Sequence, residues 1–322
     1  MIAKDHGFRI KEMKYWAQHT STCQEIDFHP TIPWLASVGW DNTLKIYDIV
    51  QDTTIFTQEF PKEVRYCQFC LNGYFLAAAT DKTIFIFRVN HSRPENPLEE
   101  VKTLDNGDTS CWSVAFSPNS KLLAVMLFNT KVHIYETESW QEVAEMKQTS
   151  RTNVHGSFSP NSRFLAVCGS KDNELNIFNC QGPPASWHVV CRKKLNFEGR
   201  KVIWSLNGQF LMVCQWGEES YIYNTADWTI NTKITTEDKL LGGDFSKDQH
   251  ILALANESGH FLLYRYLSAG TWDLCSTSLV KESFPWDIKF SPHNKWLAAC
   301  FHDGHILLME YDYIFEQPTG YF

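Results

Sequence analysis

The sequence predicts an all-β fold, a ring of seven four-stranded blades that forms a β-propeller, and three observations carry this prediction. One short pattern recurs seven times, its spacing is that of a single blade, and no segment shows the sustained 3.6-residue periodicity of an amphipathic helix. The chain has 322 residues, of which 43% are hydrophobic. Closed all-β folds of this length form single domains, so we expect one domain over residues 1–322.

Each copy of the pattern begins with an aromatic anchor residue, often followed by Ser-Pro or His-Pro, and continues to a Leu-Ala or similar pair about seven residues later. The anchors are Phe28, Phe69, Phe116, Phe158, Trp204, Phe245 and Phe290. Successive anchors lie 41, 47, 42, 46, 41 and 45 residues apart, close to the ~40–45 residues of a propeller blade. We therefore expect all seven anchors to be buried.

The residues that follow each anchor predict the next strands of a blade. The Leu-Ala run is short and apolar, which indicates a strand buried on both faces. A polar turn such as Asp41-Asn42 or Asp303-Gly304 comes next, and an alternating β-branched and aromatic segment such as Leu44–Tyr47 then indicates a third strand. Two longer connections, 88–104 and 179–194, are expected as loops on the outer rim.

The segment before the first anchor predicts how the ring closes. Residues 8–16 alternate between apolar and polar side chains, which suits an outer strand of the last blade. Such a strand clasps the ring and covers a sheet edge that would otherwise promote aggregation. We expect the seven repeats over residues 17–310 and a C-terminal tail over residues 311–322.

These motifs resemble the WD40-repeat family over nearly the whole chain. The shared features are Phe-Ser-Pro, Leu-Ala, the turn Asp and an aromatic residue that ends the third strand. The family's Trp-Asp pair has its nearest counterparts in Tyr47-Asp48 and Tyr135-Glu136, and His19 is the best counterpart of its Gly-His. The resemblance implies an interaction scaffold with no enzymatic activity and no cofactor. Blades that lack the family's His and Trp are expected to depend more on apolar packing.

Composition limits the classes of partner. The net charge is −8, and the densest basic run is Arg192-Lys193-Lys194, so direct binding to nucleic acid is disfavoured. The chain has no apolar stretch near the roughly 20 residues that span a bilayer. Its ten cysteines lie mostly in apolar strand patterns, typical of free thiols. We expect a protein of the cytoplasm or nucleus that does not associate with membranes.

Two sequence patterns are weak candidates for a metal site. Cys67-x-x-Cys70 has no second pair at zinc-finger spacing, and His302-Asp-Gly-His305, with His260 in the preceding repeat, is explained equally well by a recurring turn. We expect neither pattern to bind a metal. The chain also contains no phosphate-binding glycine loop, no nucleophile elbow and no marked acid–base pair, so we expect no enzyme.

The resemblance implies which residues surround the mouth of the central channel. In propellers of this type the residue four before each anchor points toward the mouth, and the residue before the turn Asp lies beside it. The first set is Gln24, Arg65, Trp112, Val154, Arg200, Leu241 and Trp286. The second set is Trp40, Thr80, Phe128, Lys171, an ambiguous residue near Trp216, Glu257 and His302.

Eight of these residues belong to the types that dominate binding hot spots or carry a matching charge. They are Trp40, Arg65, Trp112, Phe128, Lys171, Arg200, Trp286 and His302. We expect them to bind peptides or subunits of a larger intracellular complex, although any single Trp could instead pack inward. The alternative function is a propeller enzyme or small-molecule binder with its site at the channel mouth, which requires convergent ionisable groups there.

Overall fold

The computed structural model describes residues 3–5, 8–93, 95–147, 152–267, 269–293 and 295–313, which form seven antiparallel sheets. Apart from a 3₁₀ turn at Pro184–Ser186, all the regular structure in these ranges is β-strand. None of the described residues belongs to a helix long and apolar enough to cross a membrane. The predicted all-β fold is therefore confirmed.

The described part of the chain begins with two strands of the last blade, β1 (Ala3–Asp5) and β2 (Phe8–Ala17). Blade one consists of β3 (Cys23–Phe28), β4 (Trp34–Gly39), β5 (Thr43–Asp48) and β6 (Thr53–Glu59). Blade two consists of β7 (Val64–Phe69), β8 (Phe75–Thr80), β9 (Thr83–Val89) and β10 (Leu98–Asp105). Blade three consists of β11 (Cys111–Phe116), β12 (Leu122–Leu127), β13 (Lys131–Glu136) and β14 (Glu142–Lys147).

The remaining blades repeat this order. Blade four consists of β15 (Thr152–Phe158), β16 (Phe164–Ser170), β17 (Glu174–Asn179) and β18 (His188–Lys194). Blade five consists of β19 (Gly199–Trp204), β20 (Phe210–Gln215), β21 (Glu219–Asn224) and β22 (Ile230–Thr235). Blade six consists of β23 (Leu240–Phe245), β24 (Ile251–Asn256), β25 (His260–Tyr266) and β26 (Trp272–Leu279). Blade seven consists of β27 (Pro285–Phe290), β28 (Trp296–Phe301) and β29 (His305–Tyr313), completed by β2 and β1.

The first strand of each blade lies at the centre of the molecule and contacts the first strand of the next blade. The last of these contacts joins β27 to β3, which closes the ring around a central channel. We call the end of the ring where these first strands begin the upper face, and the end where they reach the anchors the lower face. Seven blades in one closed ring confirm the predicted propeller.

Apolar clusters between neighbouring blades form the core. One such cluster joins Trp34 and Ala36 of blade one to Phe69 and Leu76 of blade two. All seven anchors are buried, with exposed fractions between 2% for Phe290 and 8% for Trp204. Because each cluster draws side chains from two blades, each blade depends on its neighbours for its own core.

The strand β2 closes the ring as predicted. It pairs antiparallel with β29, from Phe8 opposite Tyr313 to Ala17 opposite His305, and the buried side chain of Ile10 packs in the core between blades six and seven. The strand β1 was not anticipated; it pairs with residues 8–10 and gives blade seven a fifth strand. From residue 314 onward the predicted tail lies outside the described residues. The assignment of the whole chain to one domain stays a prediction.

Blade one contains a buried polar network around His19. Its Nδ1 lies 2.9 Å from Asp41 Oδ1, its Nε2 lies 2.9 Å from Ser37 Oγ, and the Thr43 hydroxyl donates to Asp41 at 2.7 Å. Burial lowers the pKa of His19. Burial opposes ionisation of Asp41, but the hydrogen bonds with His19 and Thr43 outweigh it and hold the pKa of this carboxyl well below its usual range. The network ties the polar turn to the strand that precedes it.

Candidate functional site

A β-bulge interrupts the pairing of the first two strands at the same position in all seven blades. The extra residue is the one four before the anchor, that is Gln24, Arg65, Trp112, Val154, Arg200, Leu241 or Trp286. A bulged residue leaves the ladder and bends its strand, which re-aims its side chain. The bulge is therefore the local reason why this position belongs to the upper face, which the family resemblance had implied without revealing the bulge.

Four of the eight predicted site residues form one continuous contact, which we call the Arg65 cluster: Arg65, Trp112, Phe128 and Lys171. The Arg65 guanidinium carbon lies 5.3 Å from the centre of the Trp112 ring, and the Trp112 and Phe128 rings lie 5.5 Å apart. Lys171 Nζ lies 5.6 Å from the Phe128 ring. Phe128 and Lys171 are exposed, whereas Arg65 and Trp112 are half-buried.

Arg65 is held in place by two carboxylates of its own blade. Its guanidinium nitrogens lie 2.8 Å from Asp81 Oδ1 and 3.0 Å from Glu63 Oε1. A hydrogen bond from Ser110, and then the charge of Arg65, hold the pKa of Asp81 below its usual value despite its partial burial. Arg65 therefore orients the Trp112 ring more than it offers a free charge to a ligand.

The other four predicted residues form a second group, the Trp286 cluster: Trp40, Arg200, Trp286 and His302. The Trp40 and Trp286 rings lie 6.2 Å apart, His302 lies 6.1 Å from Trp40, and the Arg200 guanidinium carbon lies 5.2 Å from the Trp286 ring. Trp40 and His302 are exposed, while Arg200 and Trp286 are half-buried. The Trp40 indole N–H donates to Gln24, which fixes the orientation of the ring.

Phe284 was not among the predicted residues; its ring packs against Trp286 at 4.9 Å and lies 6.0 Å from His302. Phe284 stands six residues before its anchor, Phe290. Glu63 and Ser110, which contact Arg65 and Asp81, occupy the same position in blades two and three. The upper face thus includes a third set of residues, and extending the repeat pattern by two positions would have found it.

Three members of the two predicted sets are not on the surface. Gln24, Thr80 and Leu241 are buried; Gln24 accepts from the Trp40 indole, and the Thr80 hydroxyl donates to the Thr83 carbonyl. Near the ambiguous position, Trp216 contacts a lysine that precedes the first strand of the next blade. Lys239 Nζ lies 5.0 Å from the Trp216 ring and 3.1 Å from Glu257 Oε2, so these residues make a small third patch.

The two candidate metal patterns are not assembled as sites among the described residues. Cys67 packs in the core between blades one and two, whereas Cys70 packs in the core between blades two and three. His302 belongs to the Trp286 cluster, and His305 stacks on Tyr15 with its ring centre 4.5 Å away. The members of each pair therefore face different surroundings.

Beneath the upper face, the channel contains ionisable side chains that the sequence analysis did not single out. Lys201 Nζ, from blade five, lies 3.2 Å from Glu25 Oε1 of blade one and also pairs with Asp287 of blade seven. The three side chains meet across the channel and are almost inaccessible to solvent, with exposed fractions of 4%, 6% and 0%. We call them the channel plug.

The two acids of the channel plug differ in protonation. Burial, and then the charge of Asp287, raise the pKa of Glu25 to about 8. Burial opposes ionisation of Asp287 too, but the charges of Lys201 and Lys289 outweigh it and lower the pKa of this carboxyl. Glu25 therefore holds its proton more tightly than Asp287 does.

A signal for the plug was present in the sequence. All three residues stand three positions before their anchors, and alternate residues of a strand share one face. Once the register is known, residues one and three before each anchor must line the channel. Charged residues are seldom fully buried unless paired, so Glu25, Lys201 and Asp287 could have been recognised as an ionic group.

Comparison with known proteins agrees with the architecture. Residues 10–48, 147–179 and 274–308 match the family described as WD domain, G-beta repeat, and they cover the inner strands of blades one, four and seven. Pre-mRNA-processing factor 19 of Dictyostelium discoideum is 27% identical over 159 residues, 48% of this chain and 30% of that protein. Protein transport protein sec13 of Emericella nidulans is 24% identical over 158 residues, 44% of this chain and 50% of that protein.

A third relative is the transcriptional corepressor LEUNIG_HOMOLOG of Arabidopsis thaliana, 26% identical over 168 residues, 52% of this chain and 20% of that protein. The matched segments thus span half or less of the length of each of these relatives. Three blades match the WD40 repeat family and seven blades close into one ring, so the chain contains WD40 repeats and has a seven-bladed β-propeller fold.

Proposed function

We propose that this propeller is a non-enzymatic interaction scaffold that binds peptides or subunits of a larger intracellular complex on its upper face. The observation that carries the proposal is the pair of clusters in which aromatic and cationic side chains alternate, around Arg65 and around Trp286. The three relatives are named for pre-mRNA processing, protein transport and transcriptional corepression. Such diverse processes favour the general role of a scaffold and leave the pathway open.

The charges of the two clusters favour an acidic or aromatic ligand. Among the described residues, no carboxylate pairs with the side chains of Lys171 and Arg200, whereas Arg65 is already paired twice. Lys171 and Arg200 are therefore the cations available to a carboxylate of the partner. The Trp and Phe rings beside them supply a large contact area of the kind that hot spots use.

The ring also prepares these side chains for binding. Each cluster is mounted on bulged strand ends and adjoining turns whose backbone is fixed by the sheets, and several rings are already packed against cations. Little conformational entropy is lost when a partner docks on such a surface, which favours affinity. This arrangement supports the proposal that these eight residues bind a partner.

The test is partner capture from the native source at endogenous level, with bound proteins identified by mass spectrometry, followed by affinity measurement with the purified partner. We expect Trp112→Ala and Arg200→Ala each to weaken binding by about 2 kcal/mol or more, roughly thirty-fold. Thermal stability should stay nearly unchanged. Tyr74→Ala is the matched control, because Tyr74 is an exposed aromatic residue in the turn that follows Phe69, away from the upper face.

Folded variants that keep full affinity for the partner would contradict the upper-face assignment. The predicted rim connections around residues 94–97 and 183–184 would then be the next candidates. An enzyme with its site in the channel is the weaker alternative. The channel plug has convergent ionisable groups, but its side chains are almost inaccessible, and they bond to one another instead of facing a substrate.

A further inference from the structure

A cavity of about 260 Å³ opens at the lower face, on the far side of the channel plug from the two clusters. Its rim is made by the residue two after each anchor, and six of these seven residues are apolar: Pro30, Leu71, Pro118, Pro160, Leu206 and Pro292. Leu71 and Leu206 are about half exposed. The seventh rim residue is Lys247. A cavity of this size accommodates a small molecule or a single side chain.

The wall of the cavity includes a tyrosine hydroxyl with a proton left to donate. The Val202 N–H donates to His155 Nδ1 at 3.4 Å, so the proton of this neutral ring lies on Nε2. That Nε2–H donates to the Tyr66 oxygen at 2.9 Å. Tyr66 is therefore an acceptor toward His155, and its own O–H is free to donate into the cavity that it lines.

Other donors lining the cavity are also uncommitted. The Gln68 Oε1 accepts the Phe116 N–H at 2.7 Å, which leaves the Gln68 NH₂ group without an acceptor among the described residues. The Lys289 ammonium is in long ion pairs, 3.8 Å from Glu25 Oε1 and 3.9 Å from Asp287 Oδ2, and among the described residues its N–H groups donate no hydrogen bond at these distances. Lys247 has no carboxylate partner in the described part of the chain and lies at the rim.

The acceptors of the cavity are mostly occupied by backbone donors. Asp244 accepts from the N–H groups of Phe245 and Phe290, each at 3.0 Å. Asp27 Oδ2 accepts the Phe69 N–H at 2.8 Å, which leaves one oxygen of this carboxyl uncommitted. Uncommitted donors thus outnumber uncommitted acceptors, and two of the donors are ammonium groups. This balance suits a ligand that brings its own negative oxygen atoms.

We propose that the lower cavity binds the carboxylate of a small organic anion with a short apolar tail. The carboxylate would accept from Tyr66 and Gln68 and pair with Lys289, and the tail would pack against the rim prolines and leucines. This site is separate from the upper-face function and does not depend on it. A free carboxylic acid and the C-terminal carboxylate of a peptide offer the same chemistry, and the experiment has an arm for each.

The test is a titration of the full chain with acetate, hexanoate and hexylammonium, followed by calorimetry and saturation-transfer NMR. We expect hexanoate to bind more tightly than acetate, because its tail contacts the rim, and hexylammonium to show no saturable binding. A second arm compares a short peptide ending in Leu with its C-terminally amidated form. If the ligand carboxylate comes from a peptide C-terminus, only the peptide with the free carboxylate should bind. Failure of every carboxylate to bind at millimolar concentration would refute the proposal, as would equal binding of hexanoate and hexylammonium.

Two variants locate the site. Lys289→Met and Lys247→Met should each weaken hexanoate binding by about tenfold, as expected for loss of a charged partner. Lys102→Met, an exposed lysine on the outer strand β10, makes the same change of charge elsewhere and should leave binding intact. If Lys289→Met fails to fold, the hexanoate affinity of the rim variant Lys247→Met tests the location of the site. Equal weakening by Lys102→Met would overturn the assignment, and an unchanged affinity for hexanoate in Trp112→Ala would separate this site from the upper face.

Discussion

Single residues in this propeller have roles that depend on their distance from the nearest anchor. The anchor itself is buried between blades, the residues one and three before it face the channel, and the residue four before it occupies a bulge. Phe28, Asp27, Glu25 and Gln24 illustrate this series in blade one. Because the series recurs in every blade, residue-scale predictions can be made for one blade and compared with another.

Glu25 gives the protein a dependence of stability on pH with a definite sign. Its pKa is about 8 in the folded protein, against about 4.3 in an unfolded chain. The folded state therefore binds the proton of Glu25 more tightly than the unfolded state does. The contribution of this proton to the free energy of unfolding is complete below about pH 4 and is lost as the pH rises through about 8. We expect the melting temperature of the wild type to fall relative to that of Glu25→Gln between about pH 5 and pH 8.

The measurement is a series of thermal melts of both proteins across this range. Titrating groups that are remote from Glu25, such as the buried His29, are common to both proteins and cancel in the difference. Glu59→Gln removes an exposed carboxylate on β6, and the difference between its melting temperature and that of the wild type should stay nearly constant across this pH range. A Glu25→Gln difference that is equally flat would mean that Glu25 is ionised in the folded protein.

Sequence patterns predicted the positions of the strands better than any other feature of the fold. The seven anchors located all seven inner strands, because each anchor is the last residue of the first strand of its blade. The bulges could not be predicted in this way, since a bulge is a property of the pairing between strands and leaves the spacing of Gln24 and Phe28 unchanged. The pairing of β1 with β2 was missed because three residues carry too little periodicity to indicate a strand.

The same limit applies to the candidate site. The repeat pattern brought Arg65, Trp112 and Trp286 to one face, because each occupies the same position in its own blade. It could not predict which ring contacts which cation, since those contacts run between blades. Phe284 was missed because it stands six residues before its anchor, two positions beyond the earliest position in the predicted sets.

Removing residues 1–17 should expose the edge of β29 and separate blade seven from its closing strand. We expect loss of solubility or a large drop in melting temperature, because an unpaired edge strand promotes aggregation and the buried side chain of Ile10 is lost. Removing residues 1–7 is the control, since it deletes β1 and retains β2. A truncated 18–322 chain as stable and monomeric as the full chain would show that β2 does not close the ring.

For the molecule as a whole, the ring has two chemically different faces separated by the channel plug. Aromatic and cationic clusters occupy the upper face, and a cavity with a proline and leucine rim occupies the lower face. Because Lys201, Glu25 and Asp287 meet between them, the channel is interrupted and is not an open pore. A partner on one face therefore leaves the other face available.

The cysteines report on the integrity of the whole ring. Eight of the ten are buried, and only Cys191 and Cys275 are half-buried. Burial raises the pKa of thiols such as Cys168 and Cys214 to about 12, and a thiol reacts through its ionised form. We expect a thiol reagent to label at most these two cysteines in the native protein and all ten after unfolding without reductant. Fewer than ten in the unfolded protein would reveal a disulfide.

The pairing of β2 with β29 also determines how the ring responds to mechanical force. Phe8 lies opposite Tyr313 at one end of this pair and Ala17 lies opposite His305 at the other. A pull applied between Phe8 and Tyr313 acts along the hydrogen bonds, which run across the strands, and it loads the outermost pair alone. The hydrogen bonds would then break one after another, which is the unzipping geometry. In the shear geometry they would bear the force together. A propeller tethered at these two residues would open between β2 and β29 under low tension, with the other six blades still folded.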